Sequence, residues 1–160
     1  MQNKSIRYDF AWQSHWVGAP ERALLTRRWR FLSEMERLLP WSNWLDLIAP
    51  YYVKRRVKDG DLYPLNPLLR LHMLQQWFVL SDLDATEMAT DSTAARHFMR
   101  LPCNVWFPPA PDERALLNFR LMLTRHGLAT QIAADQAAAL KRQGWEIRPG
   151  AIAETWVSER

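Results

Sequence analysis

The stretch "YPLNPLLRLHMLQQWFVLSDLD", residues 63–84, decides the fold. Leu68, Leu71, Leu74, Trp77 and Phe78 recur at a helical period, among so many other apolar residues that no polar face remains. A helix that is apolar all round belongs at the centre of a bundle rather than on its surface. The pattern predicts Asn66 as its cap and Pro67 at the first helical position, where a missing N–H costs nothing. Ser81 and Asp84 then form an S-x-x-D capping pattern for another helix, ending near Asp91.

Working towards the N-terminus, Pro20 suits the first turn of a helix running from Glu21 to Leu39. Leu24, Leu25, Trp29, Leu32, Met35 and Leu39 share one face of it, and Arg22, Arg30 and Arg37 gather opposite. Pro40 ends that helix, and "WSNWLDLIA" (41–49) begins a second with Ser42 as N-cap. "KRRVKDGD" (54–61) reads as a basic loop closing on a turn at Asp59-Gly60. Residues 1–19 form an arm whose Phe10, Trp12 and Trp16 suit docking on the protein's own core.

Towards the C-terminus, "STAARHFMRL" (92–101) is a short helix and "PCNVWFPPAP" (102–111) a proline-rich connector. Asp112 caps "ERALLNFRLMLTRH" (113–126), Gly127 ends it, and "ATQIAADQAAALKRQ" (129–143) makes the last helix, closed by Gly144. After "WEIRPG" comes an apolar strand, Ala151 to Val157, with Glu154 at its centre. A carboxylate there is costly to bury without a partner. A lone strand also leaves both edges unpaired, and pairing with the same strand of a second copy is the obvious remedy. The expected fold is mainly α, a compact multi-helix domain with a loose helix-turn-helix-like pair and a short C-terminal β stub.

A chain of 160 residues, 48% hydrophobic and with nine Trp, suffices for one domain with a proper core. A net charge of +4 suits an anionic partner, although many mildly basic proteins bind no nucleic acid. The single Cys103 excludes an internal disulfide and suits a reducing compartment. No apolar stretch approaches the ~20 residues needed to cross a bilayer, and the first residues lack the continuous apolar region of a signal peptide. A cytoplasmic protein with no membrane partner is expected. The histidines His15, His72, His97 and His126 show no metal-ligand spacing, and no phosphate loop or nucleophile motif is present. His72, on the buried helix, reads as a satisfied core histidine. Asp82, Asp84 and Glu87 sit at a helix start, where capping and the helix dipole explain them.

Four stretches in order carry a resemblance. "LLRLHMLQQWFVLSDLD" (68–84), "DSTAARHFMRL" (91–101), "PDERALLNFRLMLTRHGL" (111–128) and "GAIAETWV" (150–157) are similar to the N-terminal domain, and the first catalytic strand, of InsH-like transposases of insertion-sequence family five. The resemblance runs from about Arg30 to Val157. It implies an arm at 1–19, a helical transposase N-terminal-like domain at 20–145, and at 146–160 a remnant of the first strand of a ribonuclease-H-like domain. In that family the strand carries the first acid of an Asp-Asp-Glu triad that holds magnesium. Glu154 stands here where the family has Asp. Two-metal chemistry needs convergent carboxylates around ions ~4 Å apart, so Glu154 is expected to be inactive alone, and the isolated chain to have no catalytic residue, cofactor or enzyme activity. The helix after Pro111-Asp112 departs from the family too, with Glu113, Arg114 and Asn118 in place of small hydroxyl residues and a further Arg.

DNA affinity comes largely from cations meeting phosphates, and sequence reading needs an exposed helix in the major groove. On the 112–126 helix, Leu116, Phe119 and Leu123 form a packed stripe, and Arg114, Asn118 and Arg125 a polar one suited to bases and phosphates. Arg120 on the same helix, and Arg96 and Arg100 on the preceding one, complete a helix-turn-helix-like set of candidates. Lys54, Arg55, Arg56 and Lys58 read equally as a phosphate clamp or as a solubilising loop. The expected partner is duplex DNA, the element ends. The alternatives are an interaction or regulatory fragment that pairs with itself or with intact transposases, and an enzyme remnant completed by another chain.

Overall fold

The computed structural model describes residues 26–53, 63–102, 110–148 and 156–159. Seven helices follow one another among them: α1 (Arg27–Leu38), α2 (Trp41–Val53), α3 (Leu65–Phe78), α4 (Asp82–Asp91), α5 (Thr93–Phe98), α6 (Glu113–Arg125) and α7 (Leu128–Arg142). Two short strands, β1 (Trp145–Arg148) and β2 (Trp156–Glu159), pair antiparallel, with Ile147 opposite Val157. The protein is mainly α, as expected from the sequence.

α3 is the axis. Every residue from Pro67 to Gln75 is buried, as are Trp77 and Phe78, and only Gln76 is exposed. The helix packs against α2, α4 and α6. It begins at Leu65 rather than after an Asn66 cap, because the Asn66 side chain is claimed elsewhere: its Oδ1 accepts from Arg70 Nε at 2.7 Å. Short polar side chains start α1, α4, α5 and α6. Thr26 accepts from the Trp29 N–H, Ser81 from Asp84, Ser92 from Ala95 and Asp112 from Ala115, each satisfying a backbone donor that has no partner within its helix. Gly127 and Gly144, both at positive φ, end α6 and α7 as read from the sequence.

Several boundaries differ from expectation. α1 is described from Arg27, so the expected start at Pro20, with Leu24 and Leu25, lies outside the described residues. Phe31, absent from the expected stripe, is buried and meets Trp77 edge-on at 5.3 Å. α2 starts at Trp41, which puts Ser42 inside its first turn, and continues through Pro50 to Val53. The strand expected at Ala151 to Val157 is described only from Trp156, and its partner is in the same chain: "WEIR", to which the sequence assigns no element, is β1. Trp145 and Ile147 alternate onto the core while Glu146 is exposed. Glu154 and the arm, 1–19, lie outside the described residues.

Tryptophans fill the centre. Trp41 meets Trp44 and Phe98 edge-on at 5.3 and 5.4 Å. A buried indole N–H needs an acceptor. Trp41 donates to the Met35 carbonyl, Trp44 to Asp135 at 3.1 Å, and Trp77 to Gln136 at 2.8 Å. Two of the three acceptors lie on α7, which is thereby tied to the same core.

Four polar side chains are also buried among the described residues, and two of them, Arg70 and His72, lie on α3 with unlike surroundings. The Arg70 guanidinium, 2% exposed, donates to Glu36, to the Phe98 carbonyl and to Asn66, and lies 4.3 Å from the Trp41 ring centre. His72 packs edge-on against Phe119 at 5.8 Å, and its Nδ1 has no hydrogen-bond partner, unlike the satisfied core histidine expected. Burial, reinforced by the charge of Arg120, pushes its pKa down to about 4.

Both groups give measurable predictions. Glu36→Gln leaves a buried guanidinium without its counter-ion and should cost about 3 kcal/mol in urea unfolding, the low end of the range for broken buried pairs because Glu36 is partly exposed. Arg37→Ala, which breaks the exposed pair with Glu34, should cost about 0.5 kcal/mol or less. For His72 the folded-state pKa lies below the unfolded 6.5, so the unfolded chain binds the extra proton. Its contribution to stability is complete above pH 6.5 and is lost as pH falls towards 4, a total of about 3 kcal/mol. His72→Leu should flatten that part of the stability–pH curve.

Candidate nucleic-acid interface

α6 spans 13 residues, about 20 Å, long enough to cross a major groove some 12 Å wide. Its inner face is built as the sequence suggests: Leu116, Phe119, Met122 and Leu123 are buried, and the helix packs on α3, α4 and α7. Arg114, Asn118 and Arg125 are exposed on the opposite side, and no hydrogen bond or ion pair holds any of them among the described residues. At 3.6 residues per turn the three fall within about 40° of one another around the axis. Asp112 and Glu113, at the N-terminal end, offset the partial positive charge of the helix there.

The other arginines of the candidate set differ in kind. Arg120 lies on the flank of α6 facing α4, where it makes a bidentate ion pair with Asp82 at 2.6 and 3.1 Å and donates to Gln75 Oε1 at 3.0 Å. Gln75 in turn donates to Asp82 at 2.6 Å, so the four polar contacts close on themselves. The Arg120 hydrogen bonds, then that from Gln75, hold the Asp82 carboxyl below its usual pKa, and the same pairing raises that of Arg120. Asp82 therefore does more than cap a helix. It reaches Arg120 because the chain turns sharply after α3: Val79 sits at φ 51 and the Leu80 N–H donates back to Gln75. A left-handed conformation costs a non-glycine residue roughly 1–2 kcal/mol. Together these residues line a groove of about 430 Å³ between the end of α3 and α6.

Arg96, expected on a DNA-facing surface, is 2% exposed. Its Nε donates to the Pro102 carbonyl at 2.7 Å and an Nη to that of Ala89 at 3.1 Å, because the last carbonyls of α4 have no helical donors and the guanidinium supplies one. Arg100 is part-exposed and ion-paired with Glu36, the carboxylate that also holds Arg70. The structure thus separates Arg96, Arg100 and Arg120, engaged in internal contacts, from Arg114 and Arg125. Nothing in the local sequence distinguishes the two groups. Only the partners at Ala89, Pro102, Glu36 and Asp82 do, and these are brought in by the fold.

Lys54, Arg55, Arg56 and Lys58 lie outside the described residues. The ends of their segment are described. The Tyr52 hydroxyl donates to the Tyr63 carbonyl across it, and Tyr51 meets His126, next to Arg125, with ring centres 4.4 Å apart. Among the described residues no group of three or more His, Cys, Asp or Glu converges to hold a metal ion. No helix among the described residues is long and apolar enough to cross a membrane.

No solved structure matches the chain. Residues 21–121 match the family described as Transposase domain (DUF772). That span is more than half of the sequence and holds α1 to α5, with α6 as far as Leu121. The buried α3 and the packed face of α6 are thus features of a transposase domain, and the chain belongs to the transposase domain (DUF772) family.

Proposed function

We propose that this transposase-family chain is a DNA-binding module, of the InsH-like type of insertion-sequence family five, that recognises element ends and does not cut them. The observation that carries the reading is the division of α6 into a locked inner face and an outer stripe of Arg114, Asn118 and Arg125 without internal partners. Arginine suits guanine edges and phosphates, and asparagine suits adenine. On this reading residues 20–145 form the module, and the Tyr51–His126 contact links α6 to the helix that leads into Lys54, Arg55, Arg56 and Lys58, which add phosphate contacts. Arg96 and Arg70 act inside the fold, and Arg120 orients α6 against α4.

Non-specific binding should lie in the micromolar range or weaker and fall steeply with salt. Replacing Arg114 and Arg125 together with Ala should lower the slope of log affinity against log salt by about 2, one per lost phosphate contact. The same change at Lys141 and Arg142, exposed on the last turn of α7, should leave it nearly unchanged. Equal effects from both pairs, measured by anisotropy titration on one duplex, would remove α6 as the reading helix.

The absence of cutting is tested separately. With magnesium or manganese and element-end DNA, the natural chain and Glu154→Asp should both leave the strands intact, because a single carboxylate cannot assemble a two-ion site. Metal-dependent cutting that disappears in Glu154→Ala would show the chain to be an enzyme.

A further inference from the structure

Two of the five large hydrophobic side chains exposed among the described residues lie on α6, Leu117 at 40% and Leu121 at 53%. They are four residues apart, one turn, and so share a face. Taking Arg114 as the origin, Leu121 lies about 20° to one side of it around the axis, Arg125 about 20° to the other, and Leu117 about 60° away. The leucines therefore stand beside the polar stripe, on the side of Arg114 away from Asn118, and Arg114 and Arg125 bracket them along the axis. They do not extend the buried stripe of Leu116, Phe119 and Leu123.

Two leucines one turn apart beside exposed cations give an apolar partner a surface to pack on. We infer that Leu117 and Leu121 contact thymine methyl groups in the major groove, making this module selective for thymine-containing sites. The inference rests on α6 being the reading helix and adds to it a class of base. Charge argues for DNA as the occupant, since Arg114 and Arg125 flank the leucines and the one carboxylate of the helix, Glu113, lies at its first position. Size argues the same way. A stable protein interface buries about 800 Å² on each partner, and two partly exposed leucines on a single helix offer far less. In the major groove, the thymine 5-methyl is the apolar feature presented at base-pair edges.

The test uses the full chain and two duplex probes of equal length, alternating dA-dT and alternating dA-dU. They carry the same charge and the same hydrogen-bonding groups and differ in the thymine methyl. The natural chain should bind the dT duplex more tightly, by about four-fold for each methyl covered. Leu117→Ala with Leu121→Ala should bring the ratio of the two affinities close to 1 and leave affinity for the dU duplex unchanged. Both leucines are exposed and alanine favours the helix, so thermal unfolding should not fall. Equal binding of both duplexes by the natural chain, or a dT preference that survives in the double variant, would overturn the inference while α6 remains a DNA-binding helix. Failure to bind either duplex would overturn both. A DNA-free dimer that dissociates on the same substitutions would assign the leucines to a second copy of the chain instead.

Discussion

A guanidinium buried against the rings of Trp41 and Phe98 is the constraint around which this domain is organised. Arg70 sits on the most buried helix, and a cation there is tolerated only if its donors are used and its charge is met. Glu36 of α1 meets the charge, the Phe98 carbonyl of α5 and Asn66 of α3 accept hydrogen bonds, and the Trp41 ring at the start of α2 covers the guanidinium. Four helices must therefore be in place together before the charge is compensated. An apolar side chain would fill the same space without demanding the same arrangement. Glu36 also binds Arg100, so the link runs on to the residue that leaves α5 at positive φ.

α6 is fixed in a comparable way from its other side. Phe119 packs on His72 and Tyr52, and Arg120 is held by Asp82 and Gln75. The neutral state of His72 belongs to this arrangement, because a charged imidazole so near the Arg120 guanidinium would be repelled as well as desolvated. On the proposed function, a helix held in this way on its inner side loses little further freedom on meeting DNA, and that preorganisation favours affinity. Arginines that stabilise the helix and arginines available to a ligand therefore belong to one design, and neither role follows from net charge.

Much of the fold was legible in the sequence because it is encoded locally. The all-apolar α3, the Ser81 and Asp112 caps and the glycines at 127 and 144 each act through neighbours a few residues away, and each was recognisable from spacing and residue type. What escaped depends on distant partners. Asn66 suits a helix start, but Arg70 claims its side chain. Asp135 and Gln136 look like surface residues of α7 until Trp44 and Trp77, 91 and 59 residues away, come to need acceptors. Of the candidate interface, the two faces of α6 could be read from helical periodicity. The inward turn of Arg96 could not, since Ala89 and Pro102 offer it carbonyls only after α4 and α5 have packed.

The C-terminal strands show the same contrast. A lone strand has two unpaired edges, and sequence reasoning looked for the missing partner in a second copy. Trp145 and Ile147 supply it at shorter range, their alternation placing both on the core while the backbone of β1 pairs with β2. β1 rests on α7 and β2 on α1, so the hairpin joins the last helix of the domain to the first that is described. A strand attached in this way is part of the helical domain's own packing. Its pairing with β1 and its contact with α1 tie the end of the described chain to the helical core.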